Sequence, residues 1–154
     1  MTVSSLKATV QSDLTSAMRA RDQVRSGTLR MALTAMTNEE VSGTEARELS
    51  DDEVLRVLAK EAKKRKEASA AYTDAGRPEL AAKEDAELAI LEAYLPAQLS
   101  DDELATIVAA AIESTGATGM QQMGQVMKAA NGVVAGRADG GRVAAVVKAS
   151  LAAR

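Results

Sequence analysis

Alanine and proline usage constrains the fold of this chain more than any other feature of its sequence. Alanine supplies 32 of the 154 residues, whereas proline occurs only twice, at Pro78 and Pro96. Alanine has the highest intrinsic helix propensity, and proline is the residue that most disrupts a helix interior. Apolar residues recur at spacings of three and four, and no stretch shows sustained alternation of apolar and polar residues. The sequence therefore predicts an all-α fold.

Four residue types that carry much of protein chemistry are missing, because the chain has no histidine, cysteine, tryptophan or phenylalanine. Without cysteine there is no disulfide, thiolate nucleophile or cysteine-based zinc site, and without histidine there is no Ser-His-Asp triad. We therefore predict no catalytic residue, no metal site and no cofactor. The first ten residues contain no long apolar run, so we expect neither a signal peptide nor a transmembrane helix, and a cytoplasmic protein.

Local signals divide the chain into seven predicted helices. The pentapeptide Leu-Ser-Asp-Asp-Glu occurs at 49–53 and again at 99–103, and each copy has the capping-box pattern that starts a helix. Pro96 ends one helix, and a short loop and the second start signal follow it, which makes this the best domain boundary. We predict an N-terminal domain of about four helices over residues 1–96 and a three-helix C-terminal domain over residues 97–154.

Apolar spacing also predicts which side chains face the core. The first two helices are expected to bury stripes that include Met18 and Val24, and the second is expected to end near Gly43. The sixth helix is expected to contain the methionines of residues 120–127 and to end before Gly132. These methionines are either core residues or an adaptable surface for a partner.

The formal net charge is only −3, but the basic residues are concentrated in clusters. Residues 77–97 carry two basic and five acidic residues, whereas residues 114–154 carry five basic residues and one acidic residue. The second stretch therefore has a local charge of +4 (five minus one), and it contains the candidate nucleic-acid contacts Lys128, Arg137, Arg142 and Lys148. A second cluster contains Lys60, Lys63 and Lys64, followed by Arg65 and Lys66. A third contains Arg19, Arg21, Arg25 and Arg30.

Each basic cluster has two interpretations. The cations either contact phosphates or lie on a solvated helix face with spaced ion pairs, such as Glu61 with Arg65. The chain lacks phenylalanine and tryptophan, on which bases could stack. We therefore expect any nucleic acid to be recognised through its sugar–phosphate backbone and its shape. Gly136 and Gly140 are predicted to shape a tight turn in the stretch 132–142, which alternatively presents backbone N–H groups to a phosphate.

Motifs spread over nearly the whole chain, in the expected order, resemble those of the YqeY-like proteins. In the N-terminal part the resemblance lies in 21–25, 28–31, 38–40, 75–77, 87–91, 94–96 and 98–100, which read RDQVR, TLRM, NEE, AGR, ELAIL, YLP and QLS. Further on, MGQVM at 123–127 and GRADG at 136–140 resemble the tail motif that GatB and YqeY-like proteins share.

The resemblance implies a helical N-terminal domain joined to a small three-helix domain similar to the tail of the GatB subunit of tRNA-dependent amidotransferases. In those enzymes the tail helps to engage tRNA, and the enzyme amidates an amino acid already attached to it. YqeY-like proteins often carry the corresponding label of carbon–nitrogen ligase with glutamine as amido-N-donor. Here Ser4-Ser5-Leu6-Lys7 only superficially resembles a glutaminase core, and nothing resembles the GatB catalytic domain. We therefore do not expect a complete enzyme.

Three functional hypotheses follow from the sequence. The first is an accessory protein that binds tRNA, or a tRNA–enzyme complex in tRNA processing or aminoacylation, through its C-terminal domain. The second is a protein–protein adaptor that docks through helix faces rich in alanine and methionine. The third is participation in glutamine-dependent amidation.

Overall fold

The fold is all-α, as predicted, in a computed structural model that describes residues 5–154. Within this range there are seven α-helices, one 3₁₀ turn at Met120–Gln122 and no strand. The helices are α1 Leu6–Arg19, α2 Gln23–Glu40, α3 Asp51–Asp74, α4 Pro78–Glu92, α5 Asp101–Thr115, α6 Met123–Val134 and α7 Gly140–Ala152. The chain divides into two compact units, an N-terminal unit that ends at Leu95 and a C-terminal unit, Pro96–Arg154.

The two Leu-Ser-Asp-Asp-Glu segments begin α3 and α5 with the same hydrogen bonds. The Ser50 hydroxyl accepts from the backbone N–H of Glu53 at 3.2 Å, and the Glu53 carboxylate accepts from the N–H of Ser50. Ser100 and Glu103 form the same pair of bonds. These bonds satisfy N–H groups that have no acceptor within the helix, so each segment fixes a helix start locally.

Glycine and proline separate the long helices α3 and α4. Gly76 has φ +73°, a left-handed conformation that glycine adopts without steric cost and that ends the helix before it. Pro78 is the first residue of α4, where its missing N–H removes no hydrogen bond. The two helices then pack against each other as a hairpin in the N-terminal unit.

Each unit has its own apolar core. In the N-terminal unit the buried cluster draws on α1, α2, α3 and α4, with Leu29, Met36, Leu58 and Leu91 as its largest buried side chains. In the C-terminal unit the core comes from α5, α6 and α7. Its buried members are Leu99, Leu104, Val108, Ala111, Ile112, Ala117, Val126, Ala130, Val134, Ala138, Val143, Val147 and Leu151.

Predicted core positions on α1 and α2 are exposed instead, and so is Met120, which lies in the 3₁₀ turn and not in α6. Met18 and Val24 both lie on the surface, because the buried side of α1 contains Val10 and Ala17 and successive helical residues point about 100° apart. Met18 follows Ala17 and therefore points away from the core. On α2 the buried side includes Leu29, and Val24 lies on the opposite side for the same reason.

Two predicted helix ends also differ. Helix α2 ends at Glu40, before Gly43, and α6 continues through Gly132 to Val134. Gly132 is tolerated inside the helix, and the left-handed residues that end α6 are Ala135 and Gly136, with φ of +48° and +80°. The conformation of the residues after α6 therefore determines its end, and the glycine within it does not.

Candidate nucleic-acid interface

The four cations predicted in the C-terminal unit lie on three different segments. Lys128 is on α6, Arg137 is in the turn after it, and Arg142 and Lys148 are on α7. The two arginines are engaged in contacts within the unit, whereas the two lysines are exposed. The four positions therefore do not form one equivalent set.

Arg137 bonds to the C-terminal end of α6. Its Nη2 donates to the carbonyl of Val133 at 2.9 Å, and its Nε donates to the carbonyl of Val134 at 3.1 Å. The last carbonyls of a helix have no partner within it and carry partial negative charge, so a guanidinium is a favourable cap. The side chain of Arg137 stabilises the helix end, and two of its N–H groups are already used.

Arg142 connects α7 to the segment that precedes α5. Its Nη2 donates to the carbonyl of Leu99 at 3.1 Å and to Oδ1 of Asp101 at 2.9 Å. The N–H of Leu99 in turn donates to the carbonyl of Arg137 at 2.8 Å. Leu99 is therefore bonded on both of its backbone groups to the region that contains the two arginines.

Lys128 and Lys148 are exposed and have no ion pair or hydrogen-bond partner among the residues that the structure describes. Two cations on α6 and α7 are thus available to an external anion. Unlike Arg137 and Arg142, these lysines can bind a phosphate without breaking a hydrogen bond within the chain.

The glycines of the predicted turn have different roles. Gly136 has φ +80° and lies in the turn, whereas Gly140 is the first residue of α7. The carboxylate of Asp139 caps this helix by accepting from the N–H of Gly141 at 3.1 Å. One of the N–H groups that a phosphate would use at the start of α7 is therefore already bonded within the chain.

The residues of the second basic cluster lie on different sides of α3. Lys60, Lys63 and Lys64 are exposed on α3, but Arg65 is buried at 5% exposure and bonds to the carboxylate of Glu61. This is the ion pair that the sequence suggested. Lys64 also pairs with Glu61, at 3.2 Å, so the carboxylate balances part of the charge of the cluster.

The structure brings part of the third cluster to part of the second. Arg30 of α2 and Lys64 of α3 line one shallow concavity, together with Met31, and Arg30 lines a second concavity with Arg21. The sequence analysis does not include the third cluster among the candidate nucleic-acid contacts, although the charge pattern of α2 could have indicated it. Residues 23–38, the first sixteen of the eighteen residues of α2, include no acidic residue to balance its arginines.

One further contact of a charged side chain in the N-terminal unit serves packing. The Tyr94 hydroxyl donates to the carboxylate of Asp13, which joins α1 to the residues after α4. Burial of Tyr94, together with its bond to Asp13, raises the pKa of its hydroxyl well above the usual value. The phenol therefore stays protonated and acts as a donor. It is not placed to act as a base at neutral pH.

Neither a metal centre nor a membrane span is found in the part of the chain that the structure describes. In residues 5–154 no three or more acidic side chains converge in a way that would hold a metal ion. Every helix in that range is too short or too polar to cross a bilayer.

The comparisons with known proteins agree with the motifs. A family model described as Yqey-like protein matches residues 7–151. An uncharacterized protein of the fission yeast Schizosaccharomyces pombe, C22F3.15, is 31% identical over 100 residues, which are 64% of this chain and 79% of that protein. Both matches cover most of the region that contains the two units. The chain belongs to the YqeY-like protein family.

Proposed function

We propose that this protein is a non-catalytic helical accessory protein that binds tRNA, or a tRNA–enzyme complex, through its C-terminal unit. The observation that carries the proposal is the exposure of Lys128 and Lys148, which have no partner in the described chain. The resemblance of residues 123–140 to the tail of GatB supports tRNA as the ligand. Unpaired lysines bind the phosphate groups of an RNA, and this contact does not need the aromatic side chains on which bases stack.

In this proposal Arg137 and Arg142 have a supporting role. They hold the end of α6 and the residue Leu99 in place, so they fix the framework on which the lysines lie. Substitution of either arginine would remove these hydrogen bonds as well as a charge. A test of RNA binding is therefore clearer at the lysines.

The proposal is tested by titrating the full chain with unfractionated tRNA at two salt concentrations. The variant Lys128→Gln with Lys148→Gln removes two cations and leaves the hydrogen bonds within the chain intact. We expect weaker binding, and a slope of log K against log salt that falls by about 0.7–0.9 for each phosphate that is no longer neutralised. The matched control is Arg56→Gln with Lys83→Gln, which removes two exposed cations that form no hydrogen bond or salt bridge in the described part of the N-terminal unit.

The control should bind tRNA as the unmodified chain does. Absence of tRNA binding to the unmodified chain, even at low salt, would contradict the proposal. An equal reduction of affinity in the lysine variant and in the control would mean that binding depends on total charge and not on these two lysines.

A further inference from the structure

The outward side of α2 is unusual for an exposed helix surface. Its central positions are Val24, Gly27, Met31, Thr34 and Asn38, which we call the α2 outer face. They lie on one side of the helix, because their spacing of three, four, three and four residues follows the helical period. No position on this face is charged. Exposed helix faces in globular proteins are usually polar and charged, so this face has the composition of a covered one.

Large apolar side chains are concentrated here. Val24 is 47% exposed and Met31 52% exposed, and Met18 of α1 is 43% exposed beside Arg30. These are three of the six large apolar side chains that are exposed in the described range. Isolated exposed apolar residues need no explanation, but two on this face, with a third on α1 beside Arg30, form a cluster typical of a binding surface.

Gly27 adds an independent observation. A glycine inside a helix is less stable than an alanine, and a Cβ built at Gly27 would meet no atom within 4 Å. The packing of this chain therefore does not require the glycine. Gly27 is itself only partly exposed. A residue without a side chain at the middle of this face allows another backbone to approach the helix closely.

Cations border the α2 outer face. Arg21 and Arg30 lie at one side of it, and Lys64 of α3 lines a concavity together with Arg30. Glu61 also lines this concavity, but it is largely buried and already pairs with Lys64 and Arg65. Neither arginine has a carboxylate partner among residues 5–154, and both are exposed. A ligand for this surface should therefore present apolar groups at its centre and negative charge along its edge.

We infer that the α2 outer face docks an acidic amphipathic helix of a partner protein. Apolar side chains of that helix would contact Val24 and Met31, its backbone would come closest at Gly27, and its carboxylates would pair with Arg21 and Arg30. The face runs from Val24 to Asn38, about 21 Å at 1.5 Å per residue, which suits about four turns of a partner helix.

The chemistry of the face favours a protein over a nucleic acid. Arginine and methionine are enriched at protein interfaces, whereas phosphate contacts need no exposed valine or methionine. The inference is independent of the proposed tRNA contact, since it uses other residues in the other unit. It also gives the adaptor hypothesis a specific surface.

The test uses two labelled 18-residue helical peptides and the full chain. The first peptide has leucines at positions i, i+3, i+4 and i+7 with flanking glutamates, and the second has lysines in place of the glutamates. Fluorescence anisotropy should show saturable binding of the acidic peptide and none of the basic one. Arg21→Glu with Arg30→Glu, and separately Gly27→Gln, should each weaken binding by about tenfold or more.

Gly27→Ala distinguishes the binding surface from a structural requirement. We expect this variant to melt at a higher temperature than the unmodified chain and yet to bind the acidic peptide more weakly. The matched control is Lys128→Glu with Lys148→Glu, which changes two lysines of the C-terminal unit. It should retain peptide binding, whereas Arg21→Glu with Arg30→Glu should retain tRNA binding.

Several results would overturn the inference. The first is no saturable binding of the acidic peptide. The second is equal affinity of the chain for the acidic and the basic peptide, and the third is equal affinity of the Gly27→Gln variant and the unmodified chain for the acidic peptide. Loss of tRNA binding in Arg21→Glu with Arg30→Glu would identify this face as a nucleic-acid surface instead. Dimerisation of the chain that Gly27→Gln abolishes, measured by sedimentation, would identify a second copy as the occupant.

Discussion

Arg65 is a buried cation near three carboxylates. It bonds to Glu61 one turn before it, and its Nε lies 3.9 Å from Oε2 of Glu87 on α4. Burial raises the pKa of nearby Glu84 above the ordinary glutamate value, and the negative charge of Glu87 adds to this effect. The ionised form of Glu84 is therefore less favourable in the folded chain than in the unfolded one.

Replacing Glu84 should change how stability depends on pH. Because the pKa of Glu84 is raised by folding, this residue favours the folded state below the ordinary glutamate pKa, and that contribution is lost as pH rises through the folded value. We expect Glu84→Gln to melt at a higher temperature than the unmodified chain at pH 7 and to lose this advantage near pH 4. Thermal melts followed by circular dichroism across this range are the measurement.

Exposed Asp85→Asn, on the same helix, is the control for removing one negative charge. An Asp85→Asn variant that gained as much stability at pH 7 would show that net charge, and not the surroundings of Glu84, is responsible.

At the scale of elements, the C-terminal end of helix α6 is stabilised by a side chain as well as by the glycine that follows it. Arg137 bonds to the carbonyls of Val133 and Val134, and Arg142 joins α7 to Leu99 and Asp101. Hydrogen bonds from charged donors contribute more than neutral ones, although both guanidinium groups are partly exposed.

Removing either guanidinium should destabilise the C-terminal unit. We expect Arg137→Ala and Arg142→Ala each to lower the free energy of unfolding by about 1–2 kcal/mol, as urea denaturation would measure. Lys148→Ala removes a cation with no partner in the described chain, so its effect should stay within about 0.5 kcal/mol. Similar effects for all three variants would show that the hydrogen bonds of the arginines contribute nothing beyond their charge.

Features set by neighbouring residues could be predicted from the sequence. The capping boxes at Ser50 and Ser100 and the helix starts that follow them are examples, because every atom involved lies within four residues. The burial of Arg65 could not be predicted in this way, since it depends on Glu87 of another helix. The same holds for the shared concavity of Arg30 and Lys64, which are distant in the chain. The exposure of Val24 shows that a stripe of apolar residues does not fix which side of the helix is covered.

At the scale of the whole molecule, the chain consists of two units that each bury their own apolar side chains. The core of the C-terminal unit contains only residues from Leu99 onward. A unit with a separate core has the main requirement for folding on its own, although small domains are marginally stable.

Residues 96–154 should therefore fold without the rest of the chain. We expect this fragment to have a helical circular dichroism spectrum and a cooperative thermal transition. In the fragment, Val147→Asp, which places a charge in the core, should abolish the transition. A fragment that is unfolded at low temperature would show that its stability depends on the N-terminal unit.

The bonds at Leu99 have a mechanical consequence. Its N–H and carbonyl are bonded to Arg137, in the turn after α6, and to Arg142, near the start of α7, and its side chain is buried. An unfolding machine that pulls the chain from its N-terminal side therefore loads these bonds before it reaches α5. Force is passed directly to α7 through Arg142, so the first and last helices of the unit resist extraction together.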